Sequence, residues 1–263
     1  MARLPRAEPG PFRVGDIAPG DRHELSRGNA IYCAPTGGTA ARGTGYGFEL
    51  LDSDPAVESA GVDAGFAPTE DTLRAPDVSV GVPDVPGWVK GAPPLAVEYA
   101  GTGQDEASLQ SKIADLLEAG TRWVWVVRLV GPRCVEVHEA GKPLVVKTVG
   151  EELTAPGVLK NPVRAEALWD RKAAHEGTLR NLLQRAGYES VDAIRQEGRA
   201  EGMAKGLETG AARAVLAAFE AREWQVSAEV ESRVLRCTDP VQLLDWLRRA
   251  IRVASIDEVF EKA

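Results

Sequence analysis

The apolar positions follow two different periods along the chain. Between Pro76 and Val149 they recur mostly at strand spacing, broken by one helical stretch, and beyond Asp170 at helical spacing. Asp77-Val78-Ser79-Val80-Gly81-Val82 alternates valine with small or polar residues, and Leu95-Ala96-Val97-Glu98-Tyr99-Ala100 alternates again. Both stretches predict strands. Leu109, Ile113, Leu116 and Leu117 predict a helix over 105–119, stopped by Gly120. The near-continuous apolar run Trp123 to Val130 predicts a strand covered on both faces. Two more extended pieces follow, Cys134 to Glu139 and Pro143 to Val149, with Gly141 between them. This succession describes an α/β domain with a mixed central sheet flanked by helices.

The segments before Pro76 are less regular. Met1 to Gly20 is rich in Pro, Gly and Arg and reads as a flexible arm. Glu24 to Ala34 reads as extended. Pro35 to Gly38, and then Gly43, Gly45 and Gly47, read as turn and loop. These glycines lack the Gly-Lys-Ser/Thr of a phosphate-binding loop. Gly43 to Thr72 carries seven acids and no Lys or Arg, which predicts a short strand or turn and then a surface loop.

Beyond Asp170 every segment is helical, starting with a helix over 171–185. Glycines at 198, 202, 206 and 210 punctuate a charged stretch, as a hinge or as a face where two helices approach. A further helix runs through Val215, Leu216 and Phe219. Asp239-Pro240 opens another, and Ser255 with Glu258 opens the last. The predicted divisions are an arm over 1–20, an α/β domain over 21–170 and an all-α region over 171–263.

Charge narrows the function. The 263 residues have a net charge of −8, and all of the excess lies in the first part: 16 basic and 24 acidic residues up to Asp170, then 15 of each. No basic tail exists to bind nucleic acid. No apolar run spans a membrane, and Met1 to Gly20 has no secretory core. The three cysteines, Cys33, Cys134 and Cys237, are scattered and fit a reducing cytoplasm. The three histidines show no zinc spacing.

Asp77 and Glu98 are the candidate chemistry. Each lies on the small-residue face of its strand, Asp77 with Ser79 and Gly81, Glu98 with Ala96 and Ala100. If the strands pair antiparallel, the carboxylates converge, and a hard divalent cation would relieve their repulsion. Lys112 lies about 85° from the centre of its helix's apolar stripe. From there its ammonium can reach over the sheet toward a water or a phosphate.

Several segments in this order resemble the Uma2 (DUF820) family of the PD-(D/E)XK, restriction-endonuclease-like superfamily. They are Arg74-Ala75-Pro76-Asp77-Val78, Pro94-Leu95-Ala96-Val97-Glu98-Tyr99, Lys112 and Gly120-Thr121-Arg122-Trp123-Val124-Trp125-Val126-Val127. His23-Glu24-Leu25-Ser26-Arg27-Gly28 and Leu153-Thr154-Ala155-Pro156-Gly157 match its first and closing segments. The resemblance implies a restriction-endonuclease-like core and a Mg²⁺-dependent phosphodiesterase, with Mn²⁺ as a substitute ion. Asp77 and Glu98 would be metal ligands, Lys112 the catalytic lysine, and Glu24 an additional acid. The superfamily's usual lysine position is Ala100 here, so the lysine would come from the helix. Where the family has a helix with a histidine, this chain has Gly37, Gly38, Gly43, Gly45 and Gly47. In the tail, Glu197-Gly198-Arg199-Ala200-Glu201-Gly202, then Ala212 to Glu220, then Cys237-Thr238-Asp239 with Leu243 to Trp246, then Ala254-Ser255-Ile256-Asp257-Glu258-Val259, resemble the helical C-terminal region of Rpn-family transposase-like nucleases. The leading expectation is a cytoplasmic DNA endonuclease that binds DNA weakly and salt-sensitively and dimerises through its C-terminal helices. The alternatives are an inactive nuclease-fold interaction protein and a hydrolase of a small phosphate ester.

Overall fold

The computed structural model describes residues 10–103 and 105–261, and the chain divides into two compact units, Met1–Glu189 and Ser190–Ala263. In chain order the first unit holds β1 (His23–Ser26), β2 (Asn29–Tyr32), helix α1 (Gly38–Asp52), β3 (Ala60–Val62), β4 (Phe66–Thr69), β5 (Thr72–Arg74), β6 (Val78–Val80) and β7 (Val89–Lys90). It continues with β8 (Leu95–Ala100), α2 (Glu106–Glu118), β9 (Trp123–Arg128), β10 (Cys134–Glu139), β11 (Val145–Lys147), β12 (Glu152–Leu153), β13 (Val163–Arg164) and α3 (Arg171–Arg185).

The central sheet is mixed, as its apolar pattern predicts. Its order is β11-β10-β9-β8-β6-β3; β8 and β9 run parallel, joined through α2, and the other neighbours are antiparallel. The alternation in β8 separates two cores. Leu95, Val97 and Tyr99 pack into the main core with Val78, Trp125 and Leu168, whereas Ala96 and Ala100 pack against Leu109, Ile113 and Leu116 of α2. The alanines leave room for that helix. A second sheet, β2-β1-β5-β4-β7, includes the hairpin β1–β2, and α2 also packs on β1 and β5.

Several expectations need correction. The glycine-rich stretch is the helix α1, not a loop. A Cβ at Gly43 would lie 2.6 Å from Tyr99 Cε1, and one at Gly47 would strike the Tyr99 hydroxyl. The glycines let α1 lie directly on β8. Burial of Ala40, Leu50 and Leu51 offsets their poor helix propensity, which costs roughly 1 kcal/mol each. Nor are the acids that follow all on a surface loop. The buried Asp54 carboxylate accepts hydrogen bonds from the backbone N–H of Ala56, Lys160 and Asn161.

The proposed arm is also ordered where it is described. Phe12 and Val14 pack beside Ile17, Leu25 and Leu73, and the Phe12 N–H donates to Gly28 O at 2.8 Å. Residues 1–9 of the arm lie outside the described residues. Finally, the first compact unit extends to Glu189 rather than ending at 170, because α3 packs on α1. Arg185 donates to the carbonyls of Asp52, Ser53, Asp54 and Val57, where α1 ends. A cation there satisfies carbonyls that the helix leaves unpaired and opposes its negative end.

The second unit holds α4 (Val191–Ala221), α5 (Ala228–Leu235), α6 (Pro240–Arg252) and α7 (Ile256–Phe260). The glycines at 198, 202, 206 and 210 form no hinge; they sit inside the continuous α4, with open space at each Cβ position. Phe219, Val234, Leu243, Trp246 and Val259 form the core of this unit. Asp239 caps α6 as expected, accepting from the Val241 N–H at 2.9 Å. No helix among the described residues is long and apolar enough to cross a membrane.

Candidate functional site

Strands β6 and β8 pair antiparallel with Val78 opposite Val97 and Ser79 opposite Ala96. Carried one residue further, this register sets Asp77 opposite Glu98, on the face that α2 covers. Residues opposed in this way hold their Cβ atoms about 5 Å apart. The Asp77 Oδ2 accepts the Tyr99 N–H at 2.6 Å. This bond fixes the Asp77 carboxylate against the edge of β8.

Lys112 comes down from α2 onto the same place. Its Nζ stands 2.8 Å from Glu98 Oε1 and 3.0 Å from Glu24 Oε1, and it donates to Ala75 O at 2.7 Å. Asp77, Glu98, Lys112 and Glu24, all singled out from sequence, therefore meet in one site. Behind it, Arg74 is 2% exposed and bridges Glu24 Oε2 at 3.1 Å to Asp115 Oδ2 at 2.6 Å.

The charges do not balance. Arg74 is matched by Asp115, which leaves the Lys112 ammonium to face three acids. Burial pushes the Glu98 carboxyl up to about 8; the nearby Lys112 pulls it down, while the negative charges of Asp77 and Glu24 push it up further. Burial raises Asp77 as well, against the pull of Lys112 and the Tyr99 N–H. Burial draws the Lys112 ammonium down, but Glu24, Glu98 and Asp77 outweigh it, and its pKa ends raised. Near neutral pH the surplus negative charge must be met by a proton or by another cation.

The side chains suit a hard cation. Among the described residues, no three His, Cys, Asp or Glu side chains form a ready metal cage. The donors are instead paired carboxylates with an ammonium beside them. Mg²⁺ accepts such a set, since it takes one or two carboxylates and keeps several of its waters. Asp77 and Glu98 are the residues that could hold it.

Sequence reasoning missed Asp63. Val62 pairs with Val78, so Asp63 comes level with Asp77 on the opposite side from Glu98. Its backbone is left-handed, with φ at 51°. Partial desolvation raises its carboxyl, with Lys112 pulling down and Glu24 pushing up, and its own charge helps to raise Asp77. Strand β3 is only three residues long and its partner is distant in sequence, so no local pattern marks it. Arg74 and Asp115 were missed too. The signal for Asp115 is its spacing of three from Lys112, which puts both on one helix face.

No family model matches the sequence, and no curated protein matches it significantly. Among solved structures, the chain is similar to a DUF820 protein of Anabaena variabilis described as a candidate nuclease. The likeness has a TM-score of 0.52 at 16% identity and covers 62% of this chain and 99% of that one. The chain therefore shares, over that part of its length, the fold of that DUF820 structure.

Proposed function

We propose that the protein is a Mg²⁺-dependent endonuclease that hydrolyses DNA phosphodiester bonds. The observation that carries this reading is the register of β6 and β8, which sets Asp77 beside Glu98, with the Lys112 ammonium 2.8 Å from Glu98. The fold of the DUF820 structure supports it. When bound between these acids, Mg²⁺ or Mn²⁺ would polarise the phosphate and make an attacking water more acidic. The rest falls to the chain. Asp77, fixed by the Tyr99 N–H, and Glu98, held in β8, keep the two carboxylates apart on a rigid sheet. Lys112 steadies charge that develops on the phosphate as the bond breaks. Glu24 holds Lys112 close to it.

The net charge of −8 points to weak, salt-sensitive DNA binding, helped by dimerisation. The exposed side chains of Met203 and Leu207 on α4 are where a second copy would pack. Met203→Glu with Leu207→Glu should then shift the chain to monomer in sedimentation. The free Cys33, Cys134 and Cys237 suit a reducing cytoplasm. The function is tested by offering plasmid DNA, single-stranded DNA and a simple phosphate diester with Mg²⁺ or Mn²⁺. Cleavage of DNA supports the reading. Cleavage of the small ester alone indicates a small-molecule hydrolase, and cleavage of none indicates an interaction protein.

A further inference from the structure

Behind the candidate site lies a set of buried charges that the proposed chemistry does not use. Arg74 ends β5 and is nearly sealed from solvent. Its Nε donates to Asp115 Oδ2 at 3.0 Å, and its Nη2 to the same oxygen at 2.6 Å and to Ser111 Oγ at 3.3 Å. Its Nη1 donates to Glu24 Oε2 at 3.1 Å. Ser26 Oγ, from β1, donates to Asp115 Oδ2 at 2.7 Å. Buried ion pairs seldom repay their desolvation, so stability alone is a poor reason for such an assembly.

Its geometry suggests another reason. Glu24 is held at both oxygens: Oε2 by Arg74 and Oε1 by Lys112, at 3.0 Å. Helix α2 carries both Lys112 and Asp115, so Arg74 ties β1 and α2 together at the point where Lys112 leaves the helix. The rigid fork of a guanidinium fixes angles as well as distances. Lys112 donates to Ala75 O and stands in ion-pair contact with both Glu24 and Glu98, so its three N–H groups face three partners. To reach a phosphate it must release one of them. Glu98 is the one that a divalent cation would claim, which leaves Glu24 and Ala75 O to keep the ammonium in place.

We propose that Arg74 and Asp115 are positioning residues, which lock Glu24 so that Lys112 stays aimed at the Asp77–Glu98 pair when Glu98 lets it go. This rests on the reading of that pair as the hydrolytic site. Neither residue touches the proposed substrate or cation. Both act through Glu24 on Lys112. A lysine at 74 would keep the charge and lose the fork.

The test compares wild type, Arg74→Lys, Asp115→Asn and the milder Ser26→Ala. Mn²⁺ binding is measured by calorimetry and DNA cleavage by kcat and KM, with kcat expressed per Mn²⁺-binding molecule. That normalisation removes loss from unfolded protein, which binds no ion at the site. Arg74→Lys and Asp115→Asn should keep Mn²⁺ affinity and KM near wild type. Each should lower normalised kcat on the order of 100-fold, as misplacement of a reacting group by about 1 Å does. Ser26→Ala should lower it less. Unchanged normalised kcat in the variants that fold overturns the proposal and leaves the site reading intact. A wild type that binds no Mn²⁺ or cleaves nothing, or a Lys112→Met variant as fast as wild type, overturns the site reading and the proposal with it.

Discussion

Raising the pH should weaken the metal-free protein, and Glu98→Gln should remove much of that effect. The Glu98 carboxyl is pushed from its ordinary 4.5 to about 8, by burial first and then by the charges of Asp77 and Glu24, against the pull of Lys112. Between those two values the folded protein holds a proton that the unfolded chain has released. Stability then falls as pH rises, because the unfolded state binds fewer protons. At about 1.4 kcal/mol per pH unit, the ceiling is on the order of 5 kcal/mol. The attraction of Lys112 for the ionised form is already part of that balance. Urea denaturation in EDTA at pH 5, 6, 7 and 8 measures the effect. Wild type should lose a few kcal/mol across this range, and Glu98→Gln should lose much less. His138, whose burial lowers its pKa, titrates in both proteins and cancels in the difference. Saturating Mn²⁺ should flatten the wild-type slope, since the ion replaces the proton. Equal slopes in wild type and Glu98→Gln would refute the reasoning.

Other outcomes follow from the same contacts. Gly47→Ala should destabilise the first unit by about 1–3 kcal/mol, since the new methyl strikes the Tyr99 hydroxyl; urea midpoints measure this. Asp63→Asn should leave the fold intact, because asparagine tolerates the left-handed backbone there, and should lower the pKa of Asp77 by removing a facing charge. Carboxyl-carbon NMR titration reads that shift. DNA affinity should fall steeply between about 50 and 200 mM salt, as binding through phosphate contacts does; fluorescence anisotropy checks it.

Much of the site was legible because its signals are local. Alternation in β6 and β8 fixes which face Asp77 and Glu98 share, and the apolar stripe of α2 fixes the edge from which Lys112 reaches. What escaped depends on contacts distant in sequence. The glycines of α1 read as loop because the reason for them, Tyr99, lies about fifty residues further on. Asp63 enters through a short strand paired to β6. Arg74 and Asp115 are charged residues whose burial only makes sense once β1, β5 and α2 are together. The reach of the first unit to Glu189 follows from Arg185 meeting the end of α1, which no pattern within α3 reveals.

The most direct test is Mn²⁺-dependent cleavage of supercoiled plasmid by wild type and Asp77→Asn, side by side. Asp77→Asn keeps an oxygen for the Tyr99 N–H and loses the charge that would hold the ion. Wild type should nick the plasmid only when the metal is present, and Asp77→Asn should not nick it at all. Equal cleavage by the two proteins, or cleavage by wild type in EDTA, would contradict a metal-dependent nuclease centred on Asp77 and Glu98.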